Sequence, residues 1–301
     1  MTRSGTIPLL EGLFAVTVWG ASFIATKVAL QDVSPITVIW LRFAMGVVIL
    51  GMAVAARGQF ALPDRKEWGY FALLGFLGIA FHQWLQSTAL LTSRASTTAW
   101  IVATTPVFMA LLGWLALKEG LSWFQVAGIL LAALGVLLVV TDGNLASLAL
   151  GRFGQPGDVL VLVSSANWAV FSVLSRRGLN SQPATRMMFY VMTLGWGFTC
   201  LQLLAGPGFN EVSSLTTHGW LGVCFLGIFC SGLAYLAWYD ALQALPAARL
   251  GAFLYLEPPV AVVVAALLLA ESVTWAALLG GGIILLGVWM VNRNHTPDKR
   301  R

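Results

Sequence analysis

Glu257 interrupts the apolar run LGAFLYLEPPVAVVVAALLLA, with Pro258 and Pro259 directly behind it. A carboxyl in such a run can exchange a proton or bind an amine. It reads equally as a buried carboxyl hydrogen-bonded to a neighbouring segment. Two successive prolines remove two backbone donors and break a helix at that point. Arg42, inside VIWLRFAMGVV, can grip a carboxylate with its forked guanidinium; the alternative is packing against carbonyls or a structural acid. Lys27, near the end of another apolar run, can attract substrate or reach back to the membrane surface. The stretch Phe81-His82-Gln83-Trp84-Leu85-Gln86-Ser87 places Gln83 and Gln86 on one helix face. Tyr235, Trp238 and Tyr239 form a second stripe at the same spacing. The two stripes can line opposite walls of one cavity, or they can be interhelical glue. Trp100 and Tyr255 would complete an aromatic lining suited to apolar, aromatic or cationic solutes. His82 can relay protons, since an unperturbed imidazole titrates near pH ~6.5; a simple hydrogen-bonding role is the alternative.

These groups must be held by elements that sit in lipid. The 301 residues are 58% hydrophobic and 10% charged, with a mean hydropathy of +0.84. Soluble domains carry about 25% charged residues, so water cannot be the solvent for most of this chain. Net charge is +5. The basic residues are scattered singly between apolar runs, which excludes a phosphate-tracking surface and hence a nucleic-acid partner. Cys200, Cys224 and Cys230 lie in apolar runs and read as small packing residues. The N-terminal apolar run outlasts a signal peptide and reads as a retained first helix.

A membrane span needs about 20 mostly apolar residues. Ten such stretches are expected, at 8–30, 35–56, 68–90, 95–117, 122–141, 157–176, 185–206, 219–242, 248–270 and 274–292. At a fixed offset of 152 residues, Trp68 meets Trp220, Pro106 meets Pro258, Glu119 meets Glu271 and Trp123 meets Trp275. Gly128 and Gly135 likewise meet Gly280 and Gly287. The chain therefore reads as two five-helix halves, 8–141 and 157–292, joined by 142–156 and followed by a basic tail, 293–301. With the N-terminus inside, thirteen Lys and Arg fall on the inner side and three on the outer, which predicts both termini in the cytoplasm. Five is odd, so the second half enters the membrane in the opposite direction and the repeat is inverted. Inverted repeats are a recurrent design of secondary transporters. The expected fold class is thus an all-α membrane protein of ten transmembrane helices in two inverted five-helix repeats. Glu119 and Glu271 are expected to cap the helices that follow them, with Ser122 and Thr274 as N-caps. The paired glycines predict close helix packing, within the bundle or at a homodimer seam. Asp240 lies near Arg249 across a loop, in reach of an ion pair.

Order and spacing resemble a known family. Trp19-Gly20, Phe23, Lys27, Pro35 and Arg42-Phe43 begin the pattern. Pro106, Lys118-Glu119, Leu121-Ser122, Gly128 and Gly135 continue it, and Leu256-Glu257-Pro258 and Glu271 repeat part of it. The halves resemble the two EamA domains of the drug/metabolite transporter superfamily, in its ten-helix branch, over about 8–292. The second half departs at its start: Ala169 follows Trp168, and Phe189-Tyr190 stand where Arg42-Phe43 would recur. The resemblance implies export of an amino acid or related metabolite from the cell, across a bacterial inner membrane. It also implies coupling to the proton gradient or flow down the substrate gradient.

Glu257 and His82 are the expected proton-coupling residues. Glu257, Gln83, Gln86, Trp100, Tyr235, Trp238, Tyr239, Tyr255, Arg42 and Lys27 are the expected substrate-binding set. No cofactor and no metal is expected, and the partners are a small molecule and the lipid bilayer. No metalloprotease, nucleophile-elbow or phosphate-loop motif is present, and the loops are too short for a soluble catalytic domain, so an enzyme is not expected. Import of a small metabolite and a structural or sensory role without transport are the competing readings.

Overall fold

Capping residues and prolines set where each helix begins. The computed structural model describes residues 6–118, 120–151, 153–179, 181–206, 208–245 and 250–293. Helix α1 spans Thr6–Ala29 and α2 spans Pro35–Ala56, whose first turn accommodates proline because that N–H has no helical partner anyway. Helix α3, Arg65–Gly75, opens on a capping box: Asp64 accepts from the Lys66 and Glu67 amides, and Glu67 accepts from the Asp64 amide. It runs into a π-helical segment, Phe76–Phe81, and on into α4, His82–Ala89. Then come α5 (Ala95–Val102), α6 (Thr105–Leu117) and α7 (Trp123–Val140). Ser122 caps α7 by a second capping box with Gln125, as the sequence predicts. A short α8, Ala146–Ala149, lies in the connection.

The rest of the chain follows the same plan. Helices α9 (Pro156–Leu179) and α10 (Ala184–Ala205) precede α11 (Thr217–Cys224). A second π-helical segment, Phe225–Leu233, leads into α12 (Ala234–Ala244). A 3-10 turn, Ala252–Leu256, precedes α13 (Glu257–Leu268), and α14 spans Trp275–Arg293. Helix starts at Arg65, His82, Thr105 and Trp123 recur at Thr217, Ala234, Glu257 and Trp275. Lys118 and Ala270 each adopt a left-handed backbone after α6 and α13, with φ of 55° and 50°.

All regular structure among the described residues is helical, and eight helices are long and apolar enough to cross a membrane. The continuous helix Arg65–Ala89 has a charged first turn, and Ala252–Leu268 is shorter. Glu119, Arg152, Arg249 and the tail beyond Arg293 lie outside the described residues.

The glycine pairs have a definite use. A methyl group on Gly135 would sit 2.6 Å from the Gly280 carbonyl oxygen, and one on Gly128 would sit 2.7 Å from that of Gly287. Helices α7 and α14 therefore pack backbone to backbone. The pairing order, rising in one helix and falling in the other, makes them antiparallel. The glycine seam closes within the chain and is not open to a second copy.

Two polar rims tie distant parts of the chain. At one end, Lys27 pairs with Glu271 at 3.7 Å, Arg94 donates to Ser272 Oγ at 3.0 Å, and Glu211 accepts from Thr37 Oγ1 at 2.7 Å. At the other end, Arg57 grips both oxygens of Asp240 at 2.7 Å, and Arg186 pairs with Glu67 at 3.1 Å. The sequence placed Asp240 within reach of Arg249. Arg249 lies outside the described residues; among those described, the carboxylate faces Arg57, 183 residues earlier, because α2 and α12 end at the same rim.

A candidate substrate site between the two halves

Arg42 projects from α2 into the middle of the bundle and is 5% exposed. Its Nε donates to Ser231 Oγ at 3.0 Å and its Nη1 to Gln83 Oε1 at 3.2 Å. Its guanidinium lies 5.1 Å from the centre of the Phe43 ring. None of the ion pairs among the described residues gives it a carboxylate. An arginine inside a membrane is expensive and is normally paired, and its two neutral acceptors leave its charge uncompensated. Ser231 belongs to the second π-helical segment and Gln83 to α4, so Arg42 reaches both halves of the chain.

Glu257 starts α13. The 3-10 turn before it and the two prolines in its first turn stop the helix from running through, as the sequence predicts. The same interruption occurs between α5 and α6, ahead of Pro106. A carboxylate at a helix start meets the positive end of the helix dipole. Glu257 makes no hydrogen bond or ion pair among the described residues. Gly20 of α1 lies against it: a methyl there would come 2.7 Å from the Glu257 carbonyl oxygen. Arg42 and Glu257 both lie within electrostatic reach of the Cys230 thiol, and neither has a partner of opposite charge among the described residues.

Aromatic rings close one side. Trp19 packs edge-on to Tyr235 with ring centres 5.7 Å apart, and against Trp238 at 5.3 Å. Tyr239 follows Tyr235 at 6.3 Å. Both tyrosines are buried, and neither hydroxyl has a hydrogen-bond partner among the described residues. Across the bundle His82 is 5% exposed and lies 4.6 Å from the Trp168 ring. Its Nδ1 sits 3.2 Å from Ser164 Oγ.

The fold thus brings together Arg42, Gln83, Tyr235, Trp238, Tyr239 and Glu257, with His82 on the far side. Gln86 is half-buried one turn beyond Gln83, with its amide unpaired. Three expected members stand elsewhere. Lys27 lines a cleft of about 330 Å³ at its rim, with Gln31, Leu90 and Glu271. Trp100 packs on Gly281 of α14, and its buried Nε1 has no partner. Tyr255 Oη accepts from Asn292 Nδ2 at 2.6 Å, near the end of α14.

The sequence assigned Glu271 to the helix that follows it. Its carboxylate instead accepts from the Ala95 and Ser96 amides and from Ser96 Oγ, at 2.9, 3.2 and 2.7 Å. It caps α5, while Thr274 caps α14 by accepting from the Ala277 amide at 3.2 Å. Burial works against its charge, but the donors of Ser96 and Ala95 and the nearby Lys27 outweigh it and hold this carboxyl below the usual glutamate range. Ser231 and Cys230 lie at the site without having been singled out for it, and Trp19, which opens the family pattern, joins them. A lone serine in FCSGL carries no local signal; it becomes visible only once α2 and the second π-helical segment cross.

A buried arginine and a half-buried glutamate, neither with a partner of opposite charge among the described residues, lie beside broken helices in a bundle of apolar helices. The model of the EamA-like transporter family matches residues 6–141 and again 155–293, and the chain belongs to that family. It is a multi-pass membrane transporter. A transporter of uncharacterised role from Archaeoglobus fulgidus is 28% identical, over 92% of this chain and 95% of its own. A probable terminal-alkyne amino-acid exporter from Streptantibioticus cattleyicolor is also 28% identical, over 96% and 94%. A solved crystal structure at 21% identity superposes with a TM-score of 0.67 over 95% of this chain and 96% of that one, a likeness of fold.

Proposed function

We propose that the chain is a ten-span secondary transporter that exports an amino acid or related zwitterion by alternating access. The observation that carries this reading is the opposed pair inside the bundle: Arg42 without a carboxylate and Glu257 without a cation. A substrate carboxylate would complete the guanidinium, which has a fork to spare. A substrate ammonium, or a proton, would neutralise Glu257. Tyr235 and Tyr239 supply free hydroxyls, and Trp19 and Trp238 supply an apolar wall. The relative named as an amino-acid exporter supports the same substrate class and the same direction.

The proposed architecture is two inverted five-helix repeats, 8–141 and 157–292. Four helix starts recurring at one offset support it, as do the matched left-handed residues and the antiparallel α7 and α14. The family model matching twice supports it too. The basic residues favour a cytoplasmic Arg57 rim and a Lys27 rim on the far side of a bacterial inner membrane.

The test is flux of amino acids, amines and nucleosides in proteoliposomes, with and without a proton gradient. Export of an amino acid is expected. No flux above empty vesicles for any solute would overturn the reading, and accumulation only against the proposed direction would make the chain an importer. Arg42→Gln is expected to weaken apparent affinity by roughly ten- to hundredfold, the worth of a charge-assisted contact. Glu257→Gln is expected to abolish the response to the proton gradient; full proton-driven flux in that variant would remove Glu257 from coupling.

A further inference from the structure

The two π-helical segments end at equivalent places, Phe81 and Leu233, and α4 and α12 start directly after them. A π-helical turn bonds five residues back and widens the helix; the Leu77 carbonyl takes such a bond from the His82 amide. A carbonyl oxygen has a second lone pair, and inside lipid a side-chain donor that reaches it is itself satisfied there. One carbonyl in each π-helical segment accepts such a side-chain donor, and each time from the other half of the chain. Asn167 Nδ2, on α9, donates to the Leu77 carbonyl of the first segment at 2.8 Å. Trp19 Nε1, on α1, donates to the Cys230 carbonyl of the second at 3.2 Å. Asn167 is 8% exposed. The second segment also carries Ser231, which holds Arg42; the first leads into His82 and Gln83.

We propose that Trp19 and Asn167 are positioning residues. Each clamps the π-helical segment of the opposite half, and the two clamps bias the transporter toward opposite faces of the membrane. The inference rests on the inverted-repeat reading. A two-fold axis in the membrane plane exchanges the halves and the faces and brings the clamps to neighbouring positions: Trp168, beside Asn167, is the counterpart of Trp19, and Phe229, beside Cys230, that of Leu77. Weakening one clamp must therefore favour one face, and weakening the other must favour the opposite face. A pair of merely structural bonds would loosen both faces alike.

The test needs no substrate. Reporter cysteines are placed singly at Leu30, which lines the cleft at the Lys27 rim, and at Leu250, which packs on Gly12 near the start of α1. Each is labelled with a membrane-impermeant maleimide in vesicles of either orientation, over the background of Cys200, Cys224 and Cys230. Trp19→Phe removes the N–H and keeps a ring; Asn167→Leu removes the amide at similar volume, and Asn167→Ser replaces it if Asn167→Leu fails to reach the membrane. The ratio of labelling at Leu30 to that at Leu250 is expected to shift about threefold, the scale of one interhelical hydrogen bond in a bilayer, with opposite signs for the two clamps. Shifts of the same sign, or none in either variant, would overturn the proposal. Opposite shifts in a protein that moves none of the solutes above would leave the clamps standing and count against the transport reading alone.

Discussion

Glu271 shows how much one residue's role depends on partners far away in sequence. The carboxylate holds two amides and a hydroxyl at the start of α5 and lies 3.7 Å from Lys27. Its acidity is increased by those donors despite burial, so it binds its proton less readily folded than unfolded. A group of this kind adds stability above its unfolded pKa, about 4.3 for glutamate. That contribution is lost as pH falls through the lower folded value. Glu271→Gln is therefore expected to melt a few degrees below the parent protein in detergent from pH 7 down to about 5. The gap should close as the pH drops below the ordinary glutamate range. A gap unchanged in strongly acidic buffer would mean that charge is not what Glu271 contributes. The sequence marked Glu271 as a cap because capping chemistry is local, but it named the wrong helix. The recipient amides lie 176 and 175 residues earlier, a distance no window along the chain can read. Arg42 is the same case: its residue type pointed to a buried grip, while Ser231, 189 residues on, had no signature.

Among the elements, the helices themselves were legible. Apolar length, prolines and caps are local, and the expected 274–292 and 35–56 appear as Trp275–Arg293 and Pro35–Ala56. The π-helical segments were not legible, because FLGIAF and FCSGL differ from their helical neighbours in no obvious way, and the donors that reach their carbonyls, Asn167 and Trp19, lie on helices far away in sequence. The glycine seam was half-legible: the spacing predicted a close approach and the fold supplied the partner. It gives a clean comparison. A methyl on Gly135 would meet the Gly280 carbonyl oxygen at 2.6 Å, whereas one on Gly282 would meet nothing within 4 Å. Gly135→Ala is expected to destabilise by about 1–3 kcal/mol through overpacking. Gly282→Ala should be neutral or stabilising by up to about 1 kcal/mol, since alanine suits a helix better. Thermal denaturation in detergent distinguishes them, and equal melting of the two variants would dissolve the seam argument.

Across the whole molecule, polar contacts tie distant parts of the chain at both rims. Lys27 and Arg94 in the first part of the chain hold Glu271 and Ser272 in the second at one end; Arg57 and Glu67 hold Asp240 and Arg186 at the other. Under the alternating access proposed above, the rims open one at a time, and contacts across a rim oppose its opening. The contacts differ in strength. Arg57 and Asp240 meet through two short bonds, with side chains 32% and 13% exposed. The Lys27–Glu271 pair is a single longer contact. A partly exposed ion pair contributes about 1 kcal/mol or less, near a fivefold change in population, which suits a gate that must open in every cycle. Asp240→Arg is expected to leave two cations facing each other, hold the Arg57 rim open and slow solute flux severalfold. Adding Arg57→Asp restores the pair with its ends exchanged and should recover much of the lost flux, although Arg57 also donates to Thr185 Oγ1 at 2.9 Å and that bond is not replaced. Measured in the same proteoliposomes, a double variant as slow as Asp240→Arg alone would show that the charges do not act as a pair. Recovery would make this contact a gate whose strength sets how long the proposed site stays closed at that rim.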